Sequence, residues 1–416
     1  MAEEKKKIGM SITTQILIAT VGGVVFGALI GPWAANVKFI GDIFIRLIQM
    51  SVVILVMTAV IGSVGSLQGK GLGRMGFNTL KWFIIFTLFA AVLGLTLAEL
   101  IQPGSDIKLV DASQVVAPPP PSSIQDTILG FFSTNIIGSM ASGAMIPCIV
   151  FSMIFGLAIS RYSTVNPNST ILKTVTDTNG VIMHVITMVM KVAPIGIFAL
   201  LANVSGAIGF KVIIPMMKYL ACLAIGDIIL LTVYFSLAAI RCGVNPFLMP
   251  KKFAKMSLMA LTTTSSAICL PTKMEDSVTK FGISRRVSDF VGPLAMSMNS
   301  SGAALCNTTV VLFLSQTSGV VLSNHQMAMA VILACMLCMG TITVPGGFVV
   351  TSTFLATSMG LPTDAIALMI GVDWFAGMFR TLLNVDADVI VAMLVANAEG
   401  ELDKDVYNGK KEAVYA

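Results

Sequence analysis

Long apolar runs, separated by short polar ones, set the frame of this chain. Runs near 12–34, 43–64, 82–101, 177–207 and 212–241 each reach the length a helix needs to cross a bilayer, about 20 residues. Asp42 and Arg46 sit at the edge of the second. Lys191 and Pro194 predict a kink in the fourth, since proline removes a helical hydrogen bond. A further apolar region, 127–160, is interrupted by Gly138, Gly143 and Pro147, and predicts a bent or segmented span. Between these lie two polar stretches. Residues 102–125 are proline-rich and predict an extended external loop, and 161–176 predict a second loop.

Beyond residue 246 the pattern changes. The apolar part of 247–280 is too short to cross twice, and the hydroxyl run Thr262–Ser266 lies at its centre, with Pro271 just beyond. This predicts a re-entrant hairpin, because non-helical backbone at membrane depth survives only where protein or water covers it. A Ser/Thr-rich helix that bonds its own carbonyls is the alternative. Residues 287–313 form a span broken at Asn299, Ser300, Ser301 and Gly302. A second short–break–short unit follows at 326–358, with Pro345, Gly346 and Gly347 at the break. Interrupted segments in corresponding places point to a transporter's binding site near the bilayer midplane.

The stretch 371–400 is the most unusual. It has the apolar content of a span, yet it carries Asp373, Arg380, Asp386 and Asp388. Each charge at membrane depth costs roughly 2.5–3.5 kcal/mol on insertion scales, so such groups face a cavity, a partner or a ligand. Asp373, Gly377, Arg380, Thr381, Asn384 and Asp388 recur at steps of three or four and share one helix face; Asp386 lies off it. The functional reading is a face that binds an anion and a cation. The plain alternative is an Arg380 that pairs only with aspartates of its own helix.

Composition agrees with a membrane protein: 56% of residues are hydrophobic and 11% charged. The net charge of +5 is dispersed, which excludes a nucleic-acid surface. Lys5, Lys6 and Lys7, with Lys70, Arg74 and Lys81 in the link after the second run, place the N-terminus and that link on the cytoplasmic side. MAEEKKK leads into a run of full span length, so no cleavable signal peptide is expected. With two histidines, His184 and His325, a histidine metal site is not expected. The seven cysteines sit mostly in apolar stretches, and the lone Cys335-x-x-Cys338 lacks the second pair a metal site needs. No nucleophile–base pair suggests an enzyme.

The chain resembles the glutamate/aspartate transporter family, the dicarboxylate/amino acid:cation symporters, from about Gln15 to Gly400. VAPIGIFAL at 192–200, TSSAICLP at 264–271, MNSSGAAL at 298–305, VPGG at 344–347 and RTLLNVDAD at 380–388 carry the resemblance. It implies an all-α membrane protein with about eight transmembrane helices and two re-entrant hairpins. It further implies a homotrimer in the cytoplasmic (inner) membrane, both termini cytoplasmic, working as an elevator. Scaffold segments would be 1–81, 127–176 and 177–211. Transport-domain segments would be 82–126, which includes the external loop, 212–246 and the core 247–400, before a cytoplasmic tail at 401–416.

The resemblance implies a substrate site at Ser265, Ser266, Ala303, Val344, Gly346, Gly347, Phe348, Gly377, Arg380, Thr381 and Asn384. Arg380 would fork onto a carboxylate, a pairing that lysine does not reproduce. A sodium site would use Asn299, Asn384, Asp388 and the Ala295 carbonyl. A backbone sodium site would lie near Met298, Ser300, Cys338 and Thr341.

Three departures are informative. Where the family reads Asn-Met-Asp-Gly-Thr, this chain reads Asn299-Ser300-Ser301-Gly302-Ala303. With Phe83 and Phe86-Thr87 on the third span, that loses the ligands of one further sodium site. Gly377 stands where amino-acid carriers have the Asp that holds the substrate ammonium, which favours a substrate without an α-amino group. Ala303 widens the pocket near Trp374 and Phe375. The expectation is a symporter of a small carboxylate, above all a C4 dicarboxylate, driven by a reduced number of Na⁺ ions or by H⁺. For H⁺, Asp373 and Asp388 are the candidate carriers. An amino-acid symporter of the same fold is the runner-up, and an anion channel a further alternative. No cofactor other than the coupling ion is expected.

Overall fold

The computed structural model describes residues 12–66, 74–107, 129–338 and 347–413. Helices dominate. In chain order they are α1 (Ile12–Ile30), α2 (Lys38–Gly65), α3 (Arg74–Ile101), α4 (Ile136–Ser142), α5 (Met145–Val165), α6 (Ile171–Met190), α7 (Ala193–Ile208) and α8 (Ile213–Cys242). The second half continues with α9 (Met249–Thr263), α10 (Ser266–Thr279), α11 (Arg285–Met298), α12 (Ser301–Thr317), α13 (Asn324–Cys338), α14 (Gly347–Ser358), α15 (Ile366–Gly371), α16 (Asp373–Glu399) and α17 (Lys404–Tyr407).

Among the described residues, four continuous helical stretches are long and apolar enough to cross a membrane, 14–62, 74–101, 147–165 and 209–242; a bent pair, α6 with α7, makes a fifth. Their outward faces are apolar, as lipid contact requires. On α3, Phe83, Phe86, Ala90 and Gly94 are buried, whereas Phe77, Ile84, Leu88 and Val92 are exposed. By contrast α12 is buried on nearly every side, as expected of a helix at the centre of a bundle.

Packing sorts the helices. α1 lies along α7, and α2 against α5, α6 and α7; α3 lies along α12 and α8, and α16 is surrounded by α8, α9, α10, α11 and α12. Small residues allow the closest approaches. A Cβ on Gly27 would stand 2.2 Å from the Ala202 carbonyl oxygen, and one on Gly94 would stand 2.5 Å from that of Leu305.

Several boundaries differ from the sequence reading. The polar stretch 161–176 is mostly helix, with only 166–170 between α5 and α6. Its hydroxyls bond back within the helices, Thr164 to Ser160 O at 3.0 Å and Thr174 to Thr170 O at 3.0 Å, so polar composition did not break them. The run at 177–207 is two helices meeting at 56° beside Lys191, where a kink was expected. The first two runs are joined by a 3₁₀ turn, Gly31–Val37, and α2 starts earlier than 43. The tail is also more ordered than expected. Leu402 pairs with Ile283, the Asp403 N–H donates to Gly282 O at 2.7 Å, and Tyr407 donates to Asn245 O at 2.8 Å. The stretch 102–125, expected to form an external loop, lies outside the described residues from 108 onward.

Candidate functional site

Two chain breaks converge on α16. The first is the tip of the α9–α10 hairpin. Thr264 ends α9 in the left-handed region, φ +49°, and Ser265 caps α10, its hydroxyl accepting from the Ile268 N–H at 3.5 Å. The second is the α11–α12 break, where Asn299 and Ser300 leave helical geometry. The exposed N-terminus of α12 is capped from α16, since the Gly302 N–H donates to Asn384 Oδ1 at 2.7 Å. A Cβ at Gly302 would stand 2.2 Å from the Arg380 carbonyl oxygen, so glycine is required for this contact. The break therefore presses directly on the turn of α16 that carries the arginine.

Arg380 is nearly buried. Its Nη1 lies 3.3 Å from Asp373 Oδ1, with side-chain exposures of 10% and 18%. The same nitrogen points at Cys306 Sγ, 3.8 Å away, and that sulfur meets the Tyr219 hydroxyl at 3.1 Å. The guanidinium stands over the Phe348 ring, 5.6 Å from its centroid. Gly377 is buried, and a Cβ there would meet Arg380 Nη2 at 3.6 Å and Thr264 Cβ at 3.8 Å, ordinary contact distances. The hairpin tip and the arginine thus flank a position that carries no side chain and would accept a Cβ without a clash. Among the described residues, the buried hydroxyls of Ser266 and Thr381 have no hydrogen-bond partner. Buried polar atoms in that condition call for a polar ligand. Ala303 is partly buried beside this face, whereas Phe375 is 43% exposed.

Ser265, Ser266, Ala303, Phe348, Gly377, Arg380, Thr381 and Asn384 thus lie on the elements that converge here. Val344, Gly346 and Thr341 lie outside the described residues, and Gly347 opens α14. The plain alternative for Arg380 is met in part, because its ion pair is with Asp373 of its own helix.

Two turns along α16 the picture is different. Most of the residues proposed to ligate sodium are engaged by the polypeptide; the exception is Asn299 Oδ1, which is buried without a hydrogen-bond partner among the described residues. Lys273 of α10 places its Nζ 2.6 Å from Asp388 Oδ2 and 3.1 Å from Gly292 O. Asn299 Nδ2 donates to the other oxygen of Asp388 at 2.9 Å. Asn384 spends its carbonyl on Gly302, and the Ala295 carbonyl accepts from the Asn299 N–H at 2.8 Å. Of the backbone set, the Ser300 carbonyl accepts from Ala304 N–H at 2.9 Å and from Cys338 Sγ at 3.4 Å, and Met298 is buried.

Near the residues of the further sodium site aromatic rings pack, and the hydroxyls of Thr87 and Ser301 are buried without a partner among the described residues. Tyr234 stacks on Phe86, centroids 3.9 Å apart, and donates to the Phe86 carbonyl at 2.8 Å, while Phe83 is buried.

Sequence reasoning missed two residues. Lys273 reads in TKMED as part of a hairpin's polar end, and nothing local signals that it turns inward. Asp227 had a signal, a lone carboxylate in the apolar run of α8; it is buried and, among the described residues, both its oxygens lack a partner.

Known proteins resemble this chain along nearly its whole length. The profile of the sodium:dicarboxylate symporter family matches residues 12–398. A proton/glutamate-aspartate symporter of Escherichia coli (strain K12) is 31% identical over 421 residues, covering 96% of this chain and 95% of the relative. A proton/sodium-glutamate symport protein of Bacillus subtilis (strain 168) is 31% identical over 412 residues, covering 95% and 94%. A C4-dicarboxylate transport protein of Pseudomonas fluorescens (strain Pf0-1) is 28% identical over 410 residues, covering 96% and 91%.

Proposed function

The chain belongs to the sodium:dicarboxylate symporter family, and from that premise we propose that it carries a small carboxylate without an α-amino group, above all a C4 dicarboxylate, together with a cation. It is a multi-pass membrane transporter and not an enzyme. Named relatives include both glutamate/aspartate and C4-dicarboxylate carriers. The choice between them therefore rests on this chain's own residues.

The observation that carries the proposal is Arg380 beside Gly377, a position with no side chain. A guanidinium has five N–H donors in a fixed fork, and the ion pair with Asp373 engages it through a single 3.3 Å contact. A substrate carboxylate would complete the fork, with the hydroxyls of Ser266 and Thr381 as further donors. An ammonium on the substrate would find no carboxylate at 377, and an unpaired buried charge is heavily penalised. Asp373 supports the competing reading, an amino-acid substrate, because it is the one carboxylate beside the guanidinium.

The coupling cation is H⁺ or Na⁺ in this reading. The mutual packing of α3, α8–α13 and α16, with α14 and α15 also touching α2 and α7, supports an elevator in which this group moves against α1, α2 and α5–α7. The protomers would form a homotrimer in the cytoplasmic membrane, with both termini on the cytoplasmic side. Competition binding on the purified carrier tests the substrate. Succinate or malate is expected to displace a bound acid where aspartate does not; tight aspartate binding with no dicarboxylate binding would overturn the reading of Gly377.

A further inference from the structure

We propose that the ammonium of Lys273 is the resident cation of the Asp388 pocket, so that no sodium ion binds there at any stage of the cycle. The inference deepens the symport reading and rests on it for the pocket's place in transport. The binding measurement below does not depend on the substrate.

The pocket has the chemistry of a cation site. A carboxylate, an amide side chain and carbonyls at a helix break are the hard oxygen donors that suit a small hard cation. Here Lys273 supplies the cation covalently. Its Nζ sits 2.6 Å from Asp388 Oδ2, and Gly292 O is a second acceptor at 3.1 Å. Both side chains are sealed from solvent, at 2% and 1% exposure. Asn299 holds the remaining carboxylate oxygen with its Nδ2 at 2.9 Å. Each oxygen of Asp388 therefore has a donor on it already.

A sodium ion would have to share Asp388 with a positive charge at contact distance in a dry site, where like charges repel strongly. Nor can the lysine withdraw easily. Its stem is packed inside the protein, and an ammonium moved off its carboxylate would be a buried, unpaired charge. An ordinary structural ion pair would look the same in distance. What distinguishes the proposal is that the same carboxylate should accept sodium once the ammonium is removed.

The test is thermal unfolding of the purified carrier, without substrate, in NaCl against equal choline chloride. Ligands that bind only the folded state raise its melting temperature. The wild type is expected to show no sodium-specific shift that depends on Asp388. Lys273→Met should melt lower in choline and recover in NaCl, with a saturating dependence on sodium. Lys273→Met/Asp388→Asn should lose that sodium response. If Lys273→Met does not fold, Asp388→Asn alone still decides. A sodium-specific shift in the wild type that this substitution abolishes would overturn the proposal, because sodium would then share the pocket with lysine. A Lys273→Met protein that folds yet ignores sodium would overturn it equally. An Arg380 variant that loses substrate should leave these melting shifts intact, so failure of the carboxylate reading is distinguishable from failure here.

Discussion

α16 carries two cation–carboxylate pairs, and they are built differently. Near its start, Arg380 and Asp373 come from one helix, meet at 3.3 Å and keep 10% and 18% of their side-chain surface exposed. Further along, Lys273 reaches in from another helix, meets Asp388 at 2.6 Å and is sealed. The first pair is longer and, among the described residues, meets through one nitrogen of the guanidinium. The second is short, and both carboxylate oxygens have donors. Geometry of the first kind suits a charge that accepts a ligand; geometry of the second suits a charge that stays put.

The largest effect expected to bear on this contrast is at the longer pair. Arg380→Ala should reduce binding of the transported acid by about 100-fold or more, since removing one partner of a buried charge pair costs roughly 2–5 kcal/mol. Its effect on folding should be smaller, because Asp373 retains some access to solvent. Equilibrium binding together with a melting curve checks both. If binding survives the loss, the longer pair is structural too and the contrast fails.

A smaller change is expected at the position without a side chain. Gly377→Asp would set a second carboxylate near Arg380, where a Cβ lies 3.6 Å from Nη2. Dicarboxylate affinity should fall by about tenfold, the order of one lost charge-assisted contact. Aspartate should gain relative to succinate. Competition curves for the two acids give the ratio directly, and an unchanged ratio would remove Gly377 from the argument.

The least effect belongs to a third pair, which sets the solvent-exposed baseline. Lys411 Nζ lies 2.8 Å from Asp403 Oδ2, with exposures of 63% and 38%. The hydrogen bond from Lys411 holds the Asp403 carboxyl below its usual range, helped by the N–H groups of Val406 and Asp405. A lowered folded-state value means that the contribution is present above the ordinary aspartate pKa of about 4. It is lost as the pH falls through the lowered one. Protection factors of the tail amides, corrected for the intrinsic pH dependence of exchange, should therefore fall on acidification in that window, and less so in Asp403→Asn. Exposed pairs are weak, so the overall melting temperature should barely move.

The difference between the pairs also explains what the sequence could reveal. Arg380 announces itself, because a guanidinium inside an apolar run has few reasons to exist. The breaks at Thr264–Ser265 and Asn299–Ser300 were legible from hydroxyls and small residues amid apolar ones, and the family motifs were legible in their order. Lys273 was not, because its burial depends on α10 folding back beside α11 and α16, a non-local event with no local periodicity. The polar residues at 161–176 misled for a related reason: serine and threonine stay in a helix when their hydroxyls return to its own carbonyls.

The short antiparallel patch joining 282–284 to 401–403 has a mechanical consequence. It straps the far end of α16 to the turn at the base of the α9–α10 hairpin, through the Asp403 N–H to Gly282 O at 2.7 Å and the Ser284 N–H to Glu401 O at 3.1 Å. Helix and hairpin are thereby riveted into a single plate. Any door onto the arginine has its hinge elsewhere, and a protein cut short before residue 401 would lose the rivet while keeping every residue around the arginine.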